Sequence, residues 1–182
     1  NSAPEPLLAS LYSVAGGLPA QSALILAQAT VQARQQKDAR GVPKRFEAPE
    51  DLLQIQGVNY PLYARLSGLV TTDLLGTGKV NPLAAPTSVL TVLAAGNAEV
   101  ANRIAEGRAA GAAALDTTAL NAAFVQSSSV RRFRLQARVP LADGAWLNVS
   151  RSVDLDAKGR DGVPWHTFHT SHSIDPVPRQ NP

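Results

Sequence analysis

Arg131-Arg132-Phe133-Arg134-Leu135-Gln136-Ala137-Arg138-Val139-Pro140-Leu141-Ala142-Asp143-Gly144-Ala145-Trp146-Leu147-Asn148-Val149-Ser150-Arg151-Ser152-Val153-Asp154-Leu155 decides the fold class. Phe133, Leu135, Ala137, Val139 and Leu141 alternate with Arg132, Arg134, Gln136 and Arg138. A period of two places one set on each face of a strand. The alternation returns as Leu147, Val149, Arg151, Val153 and Leu155, and Asp143-Gly144 lies between the two runs. Asp-Gly flanked by alternating residues is a strong hairpin signal. Residues 127–156 are therefore expected to form an antiparallel β-hairpin with one buried face. Two strands alone are marginally stable, so a helix or further strands must cover that face.

Upstream, residues 1–126 are rich in Ala and Leu and read as a helical domain. Downstream, residues 157–182 are polar and contain Pro164, Pro176, Pro178 and Pro182, which reads as a C-terminal tail that frays. The expected class is α+β. A length of 182 residues suits one domain, or one with a smaller appendage. Hydrophobic residues are 45% and charged residues 17%, which excludes a chain disordered throughout. Aromatics at 5% leave a core of small aliphatic side chains, suited to closely packed helices. The net charge of +3 makes the chain mildly basic, not a polycation. The absence of Cys excludes disulfide scaffolds, Cys-ligated zinc or iron–sulfur centres and thiol nucleophiles. No apolar run reaches the length of a membrane span. The sequence opens on Asn1 without a basic segment followed by an apolar one, and so reads as a fragment or a processed form.

Within 1–126, Pro4 suits a first helical turn, and Leu7, Leu8 and Leu11 follow at helical spacing before Gly16-Gly17. From Ala20 to Gln36, Ala23, Leu24, Ala27 and Val31 recur at threes and fours, the strongest helical signal in the chain. Lys37, Arg40, Lys44 and Arg45 make a basic linker around Gly41 and Pro43. Short helices are expected over Pro49–Ile55 and Pro61–Leu66, with a glycine-broken connection over Leu74–Lys79. Further helices are expected from Pro86 and over Ala98–Ala110. A last one is expected over Thr117–Val125, with Asp116 as N-cap.

The helices repeat. Ala3-Pro4-Glu5-Pro6-Leu7-Leu8-Ala9-Ser10-Leu11 aligns without gaps on Ala85-Pro86-Thr87-Ser88-Val89-Leu90-Thr91-Val92-Leu93. A glycine turn follows each copy, at Gly16-Gly17 and at Gly96. Next comes a helix with Ala and Arg seven apart: Ala27 and Arg34, then Ala101 and Arg108. The pattern reads as helix–hairpin–helix, with small Ala letting the second helix cross close to the first.

Chemistry-bearing motifs are few. His166, His169 and His172 are the three histidines. Spacing of three would align them on a helix, but Thr167, Phe168 and Thr170 favour a strand, on which His166 and His172 would face opposite to His169. Asp154, Asp156 and Asp161 surround a glycine turn as a calcium loop would, yet Lys158 takes a ligand position and no Glu closes the site. No phosphate loop, Gly-x-Ser-x-Gly elbow or dinucleotide fingerprint is present. No catalytic, cofactor-binding or metal-binding residue is assigned, and no enzymatic activity is expected.

Val80-Asn81-Pro82-Leu83-Ala84-Ala85-Pro86, then Val89-Leu90, Leu93, Ala101, Arg108 and Gly111, resembles the VNxNTAPxxVL…A…R…G pattern of the general secretion pathway protein K family. These are the large minor pseudopilins of bacterial type II secretion. Asp51-Leu52-Leu53-Gln54-Ile55-Gln56-Gly57-Val58 with Leu62, Tyr63, Leu66 and Val70 resembles that family's ExLxxIxGxxxxxYxxLxxxxT segment. Asn1-Ser2-Ala3-Pro4 is similar to the start of its first unit, and Phe133–Leu155 falls where the family returns to a pilin-like sheet. The resemblance covers residues 1–156. Departures are Leu83 and Ala84 in place of the second Asn and the Thr, a short segment after Arg34, and no pilin-type apolar helix ahead of Asn1.

The resemblance implies a helical domain of helix–hairpin–helix (SAM-like) units inserted in a pilin-like fold. It implies a structural role in protein export: initiating and capping the pseudopilus as one of several minor pseudopilins in a tip complex. Secreted substrate proteins are further expected partners. The resemblance also implies a periplasmic portion of a protein anchored in the inner membrane. Nucleic acid is not an expected partner. The alternative is a DNA-binding helix–hairpin–helix protein, which the basic pI favours and the hairpins disfavour: Gly16-Gly17-Leu18, Gly57-Val58-Asn59 and Gly96-Asn97-Ala98 carry no adjacent Lys or Arg. A hydrolase or metalloenzyme ranks third.

Overall fold

Proline and glycine set where the first helices begin and end. Pro4, held extended, precedes α1 (Glu5–Ser10), which widens through one π turn over Leu11–Ala15 and stops at Gly16. A Cβ on Gly16 would collide with the Tyr12 carbonyl oxygen and lie 2.9 Å from Leu62 Cδ1, so only glycine fits there. Pro19 restarts the chain as α2 (Ala20–Gln35). The computed structural model describes residues 1–37, 39–72, 77–112, 114–126, 132–156, 159 and 162–176. The architecture is α+β: helices followed by an antiparallel sheet that has three strands among the described residues. The chain divides into two compact units, Asn1–Ser128 and Ser129–Pro182.

In the first unit, a 3-10 turn covers Pro49–Gln54, and the Asp51 carboxylate accepts from the Glu47 and Ala48 amides at its start. Then follow α3 (Tyr60–Leu66), α4 (Thr87–Leu93) and α5 (Ala98–Ala109). Asn59 and Asn97 cap α3 and α5, their side-chain oxygens accepting from the Leu62 and Val100 amides at 3.0 and 3.2 Å. Each cap satisfies a donor that the first helical turn leaves open. Ala27 and Ala101 are both fully buried. Around them lie Tyr12, Leu66, Leu90, Leu93 and Ile104, all 2% exposed or less. Arg108 Nη1 donates to the Ala85 carbonyl at 2.7 Å and the Pro82 carbonyl at 3.3 Å, tying α5 to the chain that leads into α4.

Thr117–Val125 is not the helix expected from sequence. Turns occupy this stretch, and it closes the unit by pairing Val125 in parallel with Val80. Side chains account for the difference. Asp116 accepts from both the Thr118 amide and hydroxyl, and Asn121 from the Ala123 amide, each offering the backbone a local alternative to helix. Val80 donates to the Phe124 carbonyl and accepts from Gln126, while Asn121 donates to the Leu93 carbonyl.

In the second unit, β1 (Arg132–Pro140) pairs antiparallel with β2 (Trp146–Asp154), with Phe133 opposite Val153 and Val139 opposite Leu147. The turn closes with the Leu141 amide on the Ala145 carbonyl, and Gly144 sits at a φ of 83°, the left-handed residue that a three-residue hairpin loop needs. The polar tail expected over 157–182 is corrected in part: His166–Asp175 forms β3, antiparallel to β2. Its β-branched Thr167, Thr170 and Ile174 suit a strand. Every residue of it is exposed, so no apolar alternation announced it. Val177–Pro182 lie outside the described residues. No helix among the described residues is long and apolar enough to cross a membrane.

Leu90→Ala, at a position with no exposed surface, is expected to cost about 2–5 kcal/mol. Leu83→Ala, at a side chain 50% exposed, should cost less than about 0.5 kcal/mol. Urea unfolding followed by helical circular dichroism measures both.

Candidate interaction surface

The register of the second unit sorts its side chains onto two unlike faces. Phe133, Leu135, Ala137 and Val139 share one face with Val153, Arg151, Val149 and Leu147. Strand β3 extends that face with Thr170, His172 and Ile174. Val153, on the central strand, is 4% exposed. At the edges the face is open: Phe133 is 51% exposed, Leu135 57%, Val139 45% and Ile174 60%. Four large apolar side chains thus stand open on one sheet face.

The other face mixes arginines and polar residues with two exposed aromatic rings, Trp146 and Phe168. Arg132, Arg134, Gln136 and Arg138 lie beside Asp154, Ser152, Ser150 and Asn148. Arg132 Nε donates to Asp154 Oδ2 at 3.0 Å, and its guanidinium lies 5.8 Å from the Phe168 ring centre. Arg138 sits 3.7 Å from the Asp175 carboxylate and 4.6 Å from the Trp146 ring centre. Two of these arginines are thus partly neutralised within the sheet. The exposed Arg138–Asp175 pair contributes little to stability, about 0–1 kcal/mol.

The histidines are arranged differently from a regular strand. A bulge between Ser152 and Val153 sets His169 opposite Ser152 and His166 opposite Asp154. His166 and His169 therefore share the polar face, and His172, opposite Val149, lies on the apolar one. An extra residue in one strand shifts the alternation by one. Of the acidic turn, Asp154 accepts from Arg132 through Oδ2 and from the Asp156 amide through Oδ1. Asp161 and Lys158 lie outside the described residues. Among the described residues no three His, Asp or Glu side chains are grouped to hold a metal.

The first unit holds a feature that spacing arguments missed, a cavity of about 210 Å³. Leu8, Leu52, Val89 and Val92 form apolar parts of its wall, and Tyr12, Thr30 and Arg34 also line it. Thr30 Oγ1 donates to the Leu26 carbonyl at 2.7 Å, so the hydrogen shared between Tyr12 Oη and Thr30 Oγ1, 2.8 Å apart, belongs to Tyr12. Burial raises the Tyr12 phenol above its ordinary pKa, with the Thr30 contact opposing in part. Burial also pulls the Arg34 guanidinium below its ordinary value. The signal in sequence was the repeat itself, which places Arg34 where the second copy has Arg108.

With both units described, the chain was compared with known proteins: no family model, no curated protein and no solved structure matches it.

Replacing Phe133 and Leu135 together by Thr keeps β-propensity and removes apolar surface. The variant should retain its strand signal and bind less of the dye anilinonaphthalene sulfonate, measured by fluorescence. Tyr12→Phe should cost about 0.5–1.5 kcal/mol near neutral pH. A raised folded-state pKa stabilises the protonated fold below the unfolded value and is lost as pH rises through the folded one. The wild-type advantage over Tyr12→Phe should therefore shrink above pH 10.0, the ordinary phenol value, in urea melts run across that range.

Proposed function

We propose that this chain is the periplasmic portion of a minor pseudopilin of type II secretion, similar to the general secretion pathway protein K family. In this reading it helps initiate and cap the pseudopilus, and so serves protein export across the outer membrane. The observation that carries the proposal is the order of its parts. A helical unit bearing the Val80–Arg108 pattern is followed by an antiparallel sheet whose apolar face stands open at Phe133, Leu135, Val139 and Ile174.

The finer architecture belongs to the same proposal: α1 with α2, and α4 with α5, are helix–hairpin–helix units, and β1–β3 are part of a pilin-like sheet. An apolar sheet face gains about 25 cal/mol for each Å² that a partner covers. That gain is the physical basis for assembly without catalysis. The partners are other minor pseudopilins in a tip complex, with secreted substrate proteins as further contacts. The full-length protein would be anchored in the inner membrane by an N-terminal helix, as the family's members are.

The nucleic-acid alternative has weaker support. The amide ends of α3 and α5, where a phosphate would bind, are occupied by Asn59 and Asn97 side chains. Arg132 and Arg138 are partnered within the sheet.

Co-purification with the soluble portions of the other minor pseudopilins of the same organism, read by light scattering, tests the proposal. A defined heteromer is expected, and Leu135→Arg should abolish it while leaving the helical signal intact. Absence of any heteromer, together with duplex DNA binding that weakens steeply with salt, would overturn it.

A further inference from the structure

The repeat that pairs Arg34 with Arg108 exposes a difference between the two copies. Arg108 spends its guanidinium on the Pro82 and Ala85 carbonyls. Arg34, one turn beyond Thr30 on α2, has no hydrogen-bond or ion-pair partner among the described residues. It lines the 210 Å³ cavity instead. A half-buried guanidinium without a partner is costly to keep, because burial favours a charge only when it is paired.

The other polar groups of the cavity wall are largely spent. The Thr30 hydroxyl proton goes to the Leu26 carbonyl and the Tyr12 proton to Thr30. At the rim, the Asn1 side chain donates to the Phe46 and Thr72 carbonyls and accepts from the Phe46 amide, while the Thr72 hydroxyl donates to the Glu47 carbonyl. Lys79, exposed, adds a second cation. Among the described residues lining the cavity there is no carboxylate. Among the described residues, the wall therefore offers two cations, few free hydrogen-bonding groups and an aliphatic lining.

We propose that this cavity binds a single-chain aliphatic carboxylate, its chain among Leu8, Leu52, Val89 and Val92 and its headgroup on Arg34. Volume sets the size. An apolar cavity of about 150 Å³ admits benzene, so 210 Å³ suits a chain of about eight carbons. A peptide carboxyl terminus fits less well, since its amides would find few free partners. The structural alternative is an Arg whose stem covers apolar surface while its head remains in water. This site is independent of the sheet and of the assembly reading.

The test is isothermal titration of the full chain with octanoate, octanol and octyltrimethylammonium. Octanoate should bind saturably at one site, at least about tenfold more tightly than octanol. The ammonium amphiphile should be weaker still. Arg34→Gln, at a half-exposed position that the fold does not use, should reduce octanoate to the affinity of octanol and leave octanol unchanged. Val89→Phe should exclude both, whereas the Phe133/Leu135 double Thr variant should bind as wild type. Should Val89→Phe fail to fold, transfer of magnetisation from labelled octanoate to the Val89 and Val92 methyls locates the ligand in the wild-type chain. The proposal is overturned by no saturable binding of octanoate, by octanol binding as tightly, by an unchanged affinity in Arg34→Gln, or by loss of binding in the sheet variant alone.

Discussion

The helical unit depends on how closely its helices approach, and that depends on what is missing from their side chains. Ala27 and Ala101 carry only a methyl group and are wholly buried. Gly16 carries nothing, and leaves room for the Tyr12 carbonyl and Leu62. With helices this near, medium-sized residues such as Leu66, Leu90 and Ile104 fill the remaining space. A core so poor in aromatics becomes possible because short side chains shorten the distances to be bridged. Tyr12 is the most deeply buried of its three aromatics, beside Tyr63 and Phe124, and its hydroxyl is accommodated by a chain of hydrogen bonds through Thr30 to Leu26.

The two copies of the sequence pattern both bury their alanine and differ in what they do with their arginines. In one, Arg108 is a brace between α5 and the segment entering α4. In the other, Arg34 faces a cavity. The same residue type at the same spacing thus serves packing in one place and leaves a charge available in the other. The second unit shows a similar division. Its polar face balances arginines against Asp154 and Asp175, and its apolar face leaves Phe133, Leu135 and Ile174 more than half open.

Much of the fold was legible in the sequence. Apolar residues at threes and fours marked α2, proline and glycine marked the limits of α4 and α5, and alternation with Asp143-Gly144 marked β1 and β2. What escaped did so for physical reasons. Over Thr117–Val125 the hydrophobic count suited a helix, but Asp116 and Asn121 draw nearby amides into turns. Strand β3 buries no residue and has Phe168 and Ile174 as its large apolar side chains, too few for an apolar alternation to show. The bulge beside Val153 reassigns the histidine faces through a register shift that composition does not encode. The cavity was hidden because its wall comes from segments between Asn1 and Leu93 that meet only in three dimensions. The open apolar face was half legible: alternation defined it, while its exposure depended on what packs there.

The topology of the sheet bears on when each unit can form. Its order β1-β2-β3 pairs only strands that are neighbours in sequence. Contacts between near neighbours close small loops and lose little chain entropy, so they form early. The helical unit is completed by distant partners: Asn1 reaches Phe46 and Thr72, and Val80 pairs with Phe124. During synthesis it must wait for Val125 to emerge before its last bridge can close, whereas the sheet can zip as fast as its residues appear. The two units therefore differ in how much of the chain must exist before their outermost contacts can be made.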